Sequence, residues 1–120
     1  MVGRGARRYD GDMTEPSTGA SRPWDDTVNP PSDVTPIGSL RCRQRAAVRG
    51  TVTAARPRQW PGGPVLEVEL RDATGALEAV FFGRRHIAGV EPGHRLTAEG
   101  VAVRRYGRPV LMNPLIWIEP

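Results

Sequence analysis

The chain of 120 residues contains no lysine and one cysteine, Cys42. A single cysteine excludes an intrachain disulfide framework and a thiolate metal site. His86 and His94 are eight positions apart, with no cysteine or paired carboxylate at ligand spacing, so they do not predict a metal centre. No Ser/His/Asp or Cys/His arrangement has supporting sequence context. The sequence therefore predicts a protein that is not an enzyme and holds no cofactor.

Long apolar runs are also missing. No stretch approaches the length of a membrane span, and the N-terminus has no apolar signal core. We therefore expect a soluble, cytoplasmic protein. Its length allows one domain with a small core.

The charge is distributed unevenly. Residues 36–120 carry thirteen arginines against seven acidic residues, a formal charge of +6, whereas residues 1–35 carry four against six, a charge of −2. The basic second part favours an anionic partner. A bias toward GC-rich codons also produces arginine without lysine, so the positions of the arginines are more informative than their number.

Residues 1–35 are rich in Gly, Pro, Ser, Thr and Asp, with Tyr9 and Trp24 as the only aromatics. Such a segment cannot bury enough apolar surface to offset the entropy lost on ordering. We predict a disordered tail over 1–35 and a folded domain over 36–120. An alternative for Trp24 is a linear motif that binds a partner.

The most regular pattern lies in LEVELRDATGALEAVFFG, residues 66–83. Apolar and polar residues alternate on both sides of Asp72–Gly75, whose residue types suit a tight turn. This pattern predicts a β-hairpin with one buried face. We expect the buried face to hold Leu66, Val68, Leu70, Leu77, Ala79 and Phe81, and the outer face to hold Glu67, Glu69, Arg71, Glu78, Val80 and Phe82.

Three further strands are predicted, over residues 46–56, 95–103 and 109–118. Gly50 indicates a bend or bulge, and Pro114 an edge or bulge. Residues 57–64 are turn-forming throughout, 84–93 predict a loop or a turn of helix, and 104–108 a tight basic hairpin. Before the first strand, Ile37 and Leu40 are expected to close one barrel end, with Thr35 as the N-cap of a helical turn.

Five strands with these connections predict an all-β, five-stranded OB-fold Greek-key barrel. An SH3-like barrel is the main structural alternative.

A family resemblance rests on the segments Gly50-x-Val52, 66–83, Pro92-Gly93, Glu99-Gly100 and 107–114. Over residues 36–118 the chain resembles bacterial OB-fold nucleic acid-binding domains. The likeness is greatest to the wedge domain of RecG-type helicases and to small stand-alone actinobacterial OB-fold proteins. It is more distant to the anticodon-binding domains of aminoacyl-tRNA synthetases.

The resemblance implies nucleic-acid binding across the second and third barrel strands, between the loop joining strands one and two and the loop joining strands four and five. The chain has no G-x-x-x-x-G-K-[ST] phosphate loop, so the helicase motor of RecG-type proteins is not implied.

Arginines concentrate in those two loops, 56–64 and 104–108, where they would neutralise phosphates. Aromatic side chains there could stack on bases, although Trp60 could instead cover the barrel end and Tyr106 could pack across its hairpin. Phe82 could be a stacking platform or be covered by 84–93. The predicted nucleic acid-binding residues are Arg49, Arg56, Arg58, Trp60, Phe82, Arg104, Arg105, Tyr106 and Arg108.

Glu67, Glu69 and Glu78 oppose this prediction, because carboxylates on the outer face repel phosphate. Arg49 and Arg71 could neutralise them across strands, or the carboxylates could bind base edges. The favoured function is a non-enzymatic module that binds single-stranded or structured DNA or RNA through its loops. The alternative is a protein-interaction scaffold that uses the acidic face and the tail.

Overall fold

A computed structural model describes residues 29–120 and the short strand 7–9. Almost every regular element is a strand. The strands are β1 (Arg7–Tyr9), β2 (Arg45–Trp60), β3 (Gly63–Asp72), β4 (Gly75–Phe82), β5 (Arg95–Arg105), β6 (Arg108–Met112) and β7 (Leu115–Ile118). One 3₁₀ turn, Ile37–Ser39, precedes β2. No helix in the described part of the chain is long and apolar enough to cross a membrane.

Five strands close into a ring in the order β2–β3–β4–β6–β5, with β5 pairing back to β2. The pairing of β4 with β6 is parallel and the other pairings in the ring are antiparallel. Beyond β6 the chain continues as β7, which pairs with the first half of β5, and β1 adds to β7. The predicted all-β OB barrel is confirmed.

The predicted hairpin is confirmed by the register of β3 and β4, in which Leu66 lies opposite Phe81 and Asp72 opposite Gly75. All six residues assigned to its inner face are buried. They form one core with apolar residues of the other strands, among them Val48, Val52, Leu96, Leu111 and Ile116. Val80 is the exception to the outer-face prediction, because it faces outward and is nevertheless fully buried.

β2 serves both halves of the barrel, as a small closed sheet requires. It pairs with β5 up to Thr51 and with β3 from Thr51 onward, with a register shift between Val52 and Ala54. A Cβ at Gly50 would lie 2.8 Å from the carbonyl oxygen of Arg71, so this position needs glycine for close strand approach. The predicted irregularity in this strand is therefore confirmed, with the bulge three residues beyond Gly50.

The tight turn of the hairpin also holds the 3₁₀ helix. Asp72 Oδ1 accepts hydrogen bonds from the amides of Thr74 and Gly75, at 2.7 and 3.0 Å. Its other oxygen, Oδ2, accepts one from the amide of Ile37, at 2.9 Å. Ile37 is buried against the barrel end, as expected. The predicted N-cap is wrong, since Pro36 precedes the helix without a side-chain cap and Asp72 supplies the acceptor from another element.

The segment 57–64, predicted as turn throughout, is mostly paired strand. β2 runs to Trp60 and β3 begins at Gly63, which leaves Pro61 and Gly62 at the tip. Among the described strands, only β3 pairs with β2 beyond Val52, so the other side of β2 is an open edge there. Proline has no amide hydrogen to donate, and such an edge tolerates Pro57.

The other connections follow the sequence more closely. Residues 84–93 form a loop whose Ile87 and Val90 are buried in the core. The last predicted strand is interrupted at Asn113 and Pro114, which separate β6 from β7. Within the predicted tail, the structure describes β1 and residues 29–35, and Trp24 lies outside the described residues.

Candidate nucleic-acid interface

A second, smaller apolar cluster lies on the outer face of the barrel. Antiparallel register places Val65 opposite Phe82 and Glu67 opposite Val80, so these side chains share that face. Val65, Val80 and Val110 are buried there, beneath the partly buried Trp60, Val103 and Met112. The cluster explains why Val80 is buried although it points away from the main core. It also forms an apolar floor between the tip of the β2–β3 hairpin and the tip of the β5–β6 hairpin.

Trp60, the last residue of β2, is held from three directions. Its Nε1 donates a hydrogen bond to Glu67 Oε2, at 2.9 Å. Its ring meets the Phe82 ring edge-on, with centroids 5.8 Å apart and planes at 70°. The guanidinium carbon of Arg105 lies 4.1 Å from the centroid of the indole ring. Trp60 therefore joins the two hairpin tips.

The same guanidinium of Arg105 lies 4.8 Å from the Tyr106 ring. Tyr106 occupies the hairpin tip with a φ of 54°, and its residue surface is 86% exposed. Phe82 is 39% exposed, so both of these rings present apolar surface to solvent. A cavity of about 180 Å³ lies between Trp60 and Phe82, bounded by residues 62–65 and Gly83. Exposed rings beside a cation are the arrangement on which unstacked bases bind.

A scan against protein families matches residues 46–118 to the tRNA anti-codon family, described as an OB-fold nucleic acid binding domain. The chain belongs to this family. A search of curated proteins found no match. The matched region runs from β2 to β7 and so contains both hairpin tips and the apolar floor of the OB-fold domain.

The structure brings four predicted site residues of the OB-fold domain into contact, namely Trp60, Phe82, Arg105 and Tyr106. Two other predicted residues neighbour this group, since Arg58 pairs with Glu67 at 3.5 Å and Arg108 lies exposed opposite Arg105. Arg104 donates to the carbonyl of Gly107 at 3.0 Å and lines a different cavity, beside Ile37 and Gly75. Arg56 lies opposite Glu67 and is also exposed.

Arg49 lies elsewhere. Its Nε and Nη2 are both 2.7 Å from Glu119 Oε2, on the part of β2 that pairs with β5. The prediction that Arg49 neutralises the outer glutamates is wrong, because its partner is this carboxylate near the C-terminus.

The surroundings of Trp60 and Phe82 bear on the alternatives stated for these two residues. Trp60 is half-buried and packed, with one ring face against Arg105, so it is a support rather than a free platform. Phe82 is not covered by 84–93, whose apolar side chains Ile87 and Val90 enter the main core.

The outer glutamates form no free acidic patch. Glu67 contacts Trp60 and Arg58, while Glu69 accepts from Thr53 Oγ1 at 2.6 Å and lies 3.9 Å from Arg71. Arg71 therefore approaches one of the three glutamates, from the same strand and not across strands as expected. Glu78 is half-exposed, and its side chain has no hydrogen bond or ion pair within the described residues.

No group of three or more His, Cys, Asp and Glu side chains in the described residues is arranged to hold a metal ion. His86 and His94 both approach Glu91, at 3.6 and 3.9 Å.

The outer apolar cluster and the Trp60–Arg105 contact were not predicted. One signal was available for the cluster. Residues 79–82 are all apolar. In a strand with one solvent-exposed face, position 80 would carry a polar residue, so Val80 indicates that this part of the outer face is covered. The Trp60–Arg105 contact had no such signal.

Proposed function

We propose that this OB-fold domain is a non-enzymatic module that binds single-stranded or locally unpaired DNA or RNA on the outer face of β3 and β4. The observation that carries the proposal is the convergence of Phe82, Arg105 and Tyr106 between the two hairpin tips. Membership of an OB-fold nucleic acid binding family supports it.

Unpaired bases are favoured because the exposed groups are aromatic. Bases within a duplex are stacked on each other, so they cannot lie on Phe82 or Tyr106. A base freed from such stacking gains about 1–3 kcal/mol from an aromatic partner. Trp60, which packs on the apolar cluster, supports the Phe82 ring and the Arg105 guanidinium from one side.

Arginines at the two tips supply the contacts to phosphate. Arg108 lies opposite Arg105 at the β5–β6 tip, and Arg56 and Arg58 lie on the β2 side. Each phosphate contact releases counterions, so affinity should fall as salt rises. Because Glu67 and Glu69 lie on the same face, we expect moderate affinity with a strong contribution from the tips.

Fluorescence anisotropy with short labelled oligonucleotides tests the proposal. Single-stranded DNA and RNA of one sequence, and the matching duplexes, would be titrated at low and moderate salt. The single strands should bind more tightly than the duplexes. The double variant Phe82→Ala with Tyr106→Ala should lower affinity for single strands by at least about 1 kcal/mol.

Arg49→Ala is the matched control for loss of charge, since this side chain binds Glu119 away from the tips. It should change affinity much less than the combined variant Arg104→Ala with Arg108→Ala. Absence of binding at low salt would refute the proposal. So would aromatic and tip variants that bind as well as the wild-type domain.

A further inference from the structure

Glu67 lies in the middle of the face proposed to bind an anionic polymer. On charge alone, its carboxylate opposes binding. Its side chain is only 17% exposed, however, and both of its oxygens are engaged. Oε2 accepts the indole hydrogen of Trp60 at 2.9 Å, and Oε1 lies 3.5 Å from Arg58 Nε.

These interactions place Glu67 at the start of a chain of contacts that reaches the ligand-facing groups. The bond to Nε1 fixes the rotation of the indole, and the indole offers one face to Arg105. The guanidinium in turn lies beside the exposed ring of Tyr106. Among the described strands, only β3 pairs with β2 beyond Val52, so the other edge of β2 is open at Trp60. The orientation of the indole therefore depends on its side-chain contacts.

We propose that Glu67 is a positioning residue for nucleic-acid binding, which holds Trp60 and Arg58 in place and thereby orients Arg105 between the hairpin tips. Its net effect on affinity is favourable in spite of its charge. This inference rests on the proposed function. It predicts that removing Glu67 weakens binding, whereas charge repulsion alone predicts that removing it strengthens binding.

Glu78 provides the matched comparison. It carries the same charge on the same face, one strand away, but its side chain makes no hydrogen bond or ion pair with the described residues. Removing its charge should remove only repulsion. Glu78→Gln should therefore bind single-stranded DNA about two- to threefold more tightly at low salt.

Glu67→Ala should bind the same oligonucleotide about three- to tenfold more weakly. Without Glu67, the flexible side chains of Arg58 and Arg105 would be free in the unbound protein. Each would then have to be ordered on binding, and the entropy lost in that step lowers affinity by factors of this size. Glu67→Gln retains an acceptor for the indole hydrogen but loses the charge that faces Arg58, so it should recover part of the affinity.

A double-mutant cycle separates positioning from general damage to the fold. If Glu67 acts through Arg105, then Glu67→Ala should change affinity less than about twofold in the Arg105→Ala background. In the free protein, the indole N–H resonance of Trp60, assigned with Trp60→Phe, should shift in Glu67→Ala and much less in Glu67→Gln.

Two results would overturn this inference while leaving the proposed function intact. One is tighter binding by Glu67→Ala, as expected for Glu78→Gln. The other is an equal loss of affinity with and without Arg105. Failure of the wild-type domain to bind any single strand would overturn both proposals.

Discussion

Replacing Arg105 by alanine tests whether the two hairpin tips are joined as the structure shows. Its guanidinium carbon lies 4.1 Å from the Trp60 centroid and 4.8 Å from the Tyr106 centroid. Exposed cation–π contacts are worth about 0.5–1 kcal/mol each, so the variant should lose about 1–2 kcal/mol of unfolding free energy.

Arg108→Ala is the control, because its side chain begins the next strand and makes no ring contact or ion pair with the described residues. A surface substitution of this kind should stay within about 0.5 kcal/mol of the wild type. Unfolding in urea, followed by circular dichroism, measures both differences.

Binding provides the second measurement. Each variant removes one positive charge, so the slope of log affinity against log salt should become shallower by about 0.7 for each phosphate that the protein no longer neutralises. Only Arg105→Ala should also weaken binding at high salt, where phosphate contacts contribute least. Equal stability of the two variants would refute the idea that Arg105 fastens the tips.

Three predictions concern the barrel that carries the site. Burial tends to raise the pKa of Asp72, but hydrogen bonds from Ile37, Thr74 and Gly75 outweigh it, so the pKa lies below its usual value of 3.8. Its stabilisation should therefore be complete above about pH 4 and decline as pH falls through the lower folded-state pKa. Asp72→Asn should flatten the acid limb of stability measured by urea unfolding, and an unchanged limb would contradict this. Gly50→Ala should lower the melting temperature because its Cβ would lie 2.8 Å from the Arg71 carbonyl oxygen, and a variant as stable as the wild type would show that β3 can move away. Val80→Ala should cost about 2 kcal/mol in urea unfolding, whereas a loss near zero would mean that the outer cluster does not hold the face together.

Much of the barrel followed from local pattern. The alternation in 66–83 predicted which residues of β3 and β4 enter the core, because successive side chains of a strand point to opposite faces. The residue types of Asp72–Gly75 predicted the turn that sets the register. Composition predicted a division between the basic domain and the segment that precedes it.

Local pattern was less informative for the connections. The turn-forming residues of 57–64 predicted a loop, yet Pro57 lies in paired β2 because the edge that would need its amide has no partner in the described chain. Whether an edge is free depends on where the neighbouring strands end. The free edge is therefore a property of the whole sheet, and it cannot be predicted from a short stretch of sequence.

The arginine-rich tips and their aromatic residues were identifiable from the sequence, but their relation was not. Trp60 and Arg105 are 45 positions apart, and closure of the ring brings them to 4.1 Å. The fold likewise brings Arg49 to Glu119, 70 positions away, whereas Glu67 meets Arg58 and Trp60 within the β2–β3 hairpin. Periodicity and composition were enough to predict the approximate positions of the barrel strands, the buried face of the β3–β4 hairpin and the basic character of the tips, since these depend on the backbone pleat and on residue type. The contact between Trp60 and Arg105 is visible only in the fold, because it joins strands that are distant in the chain.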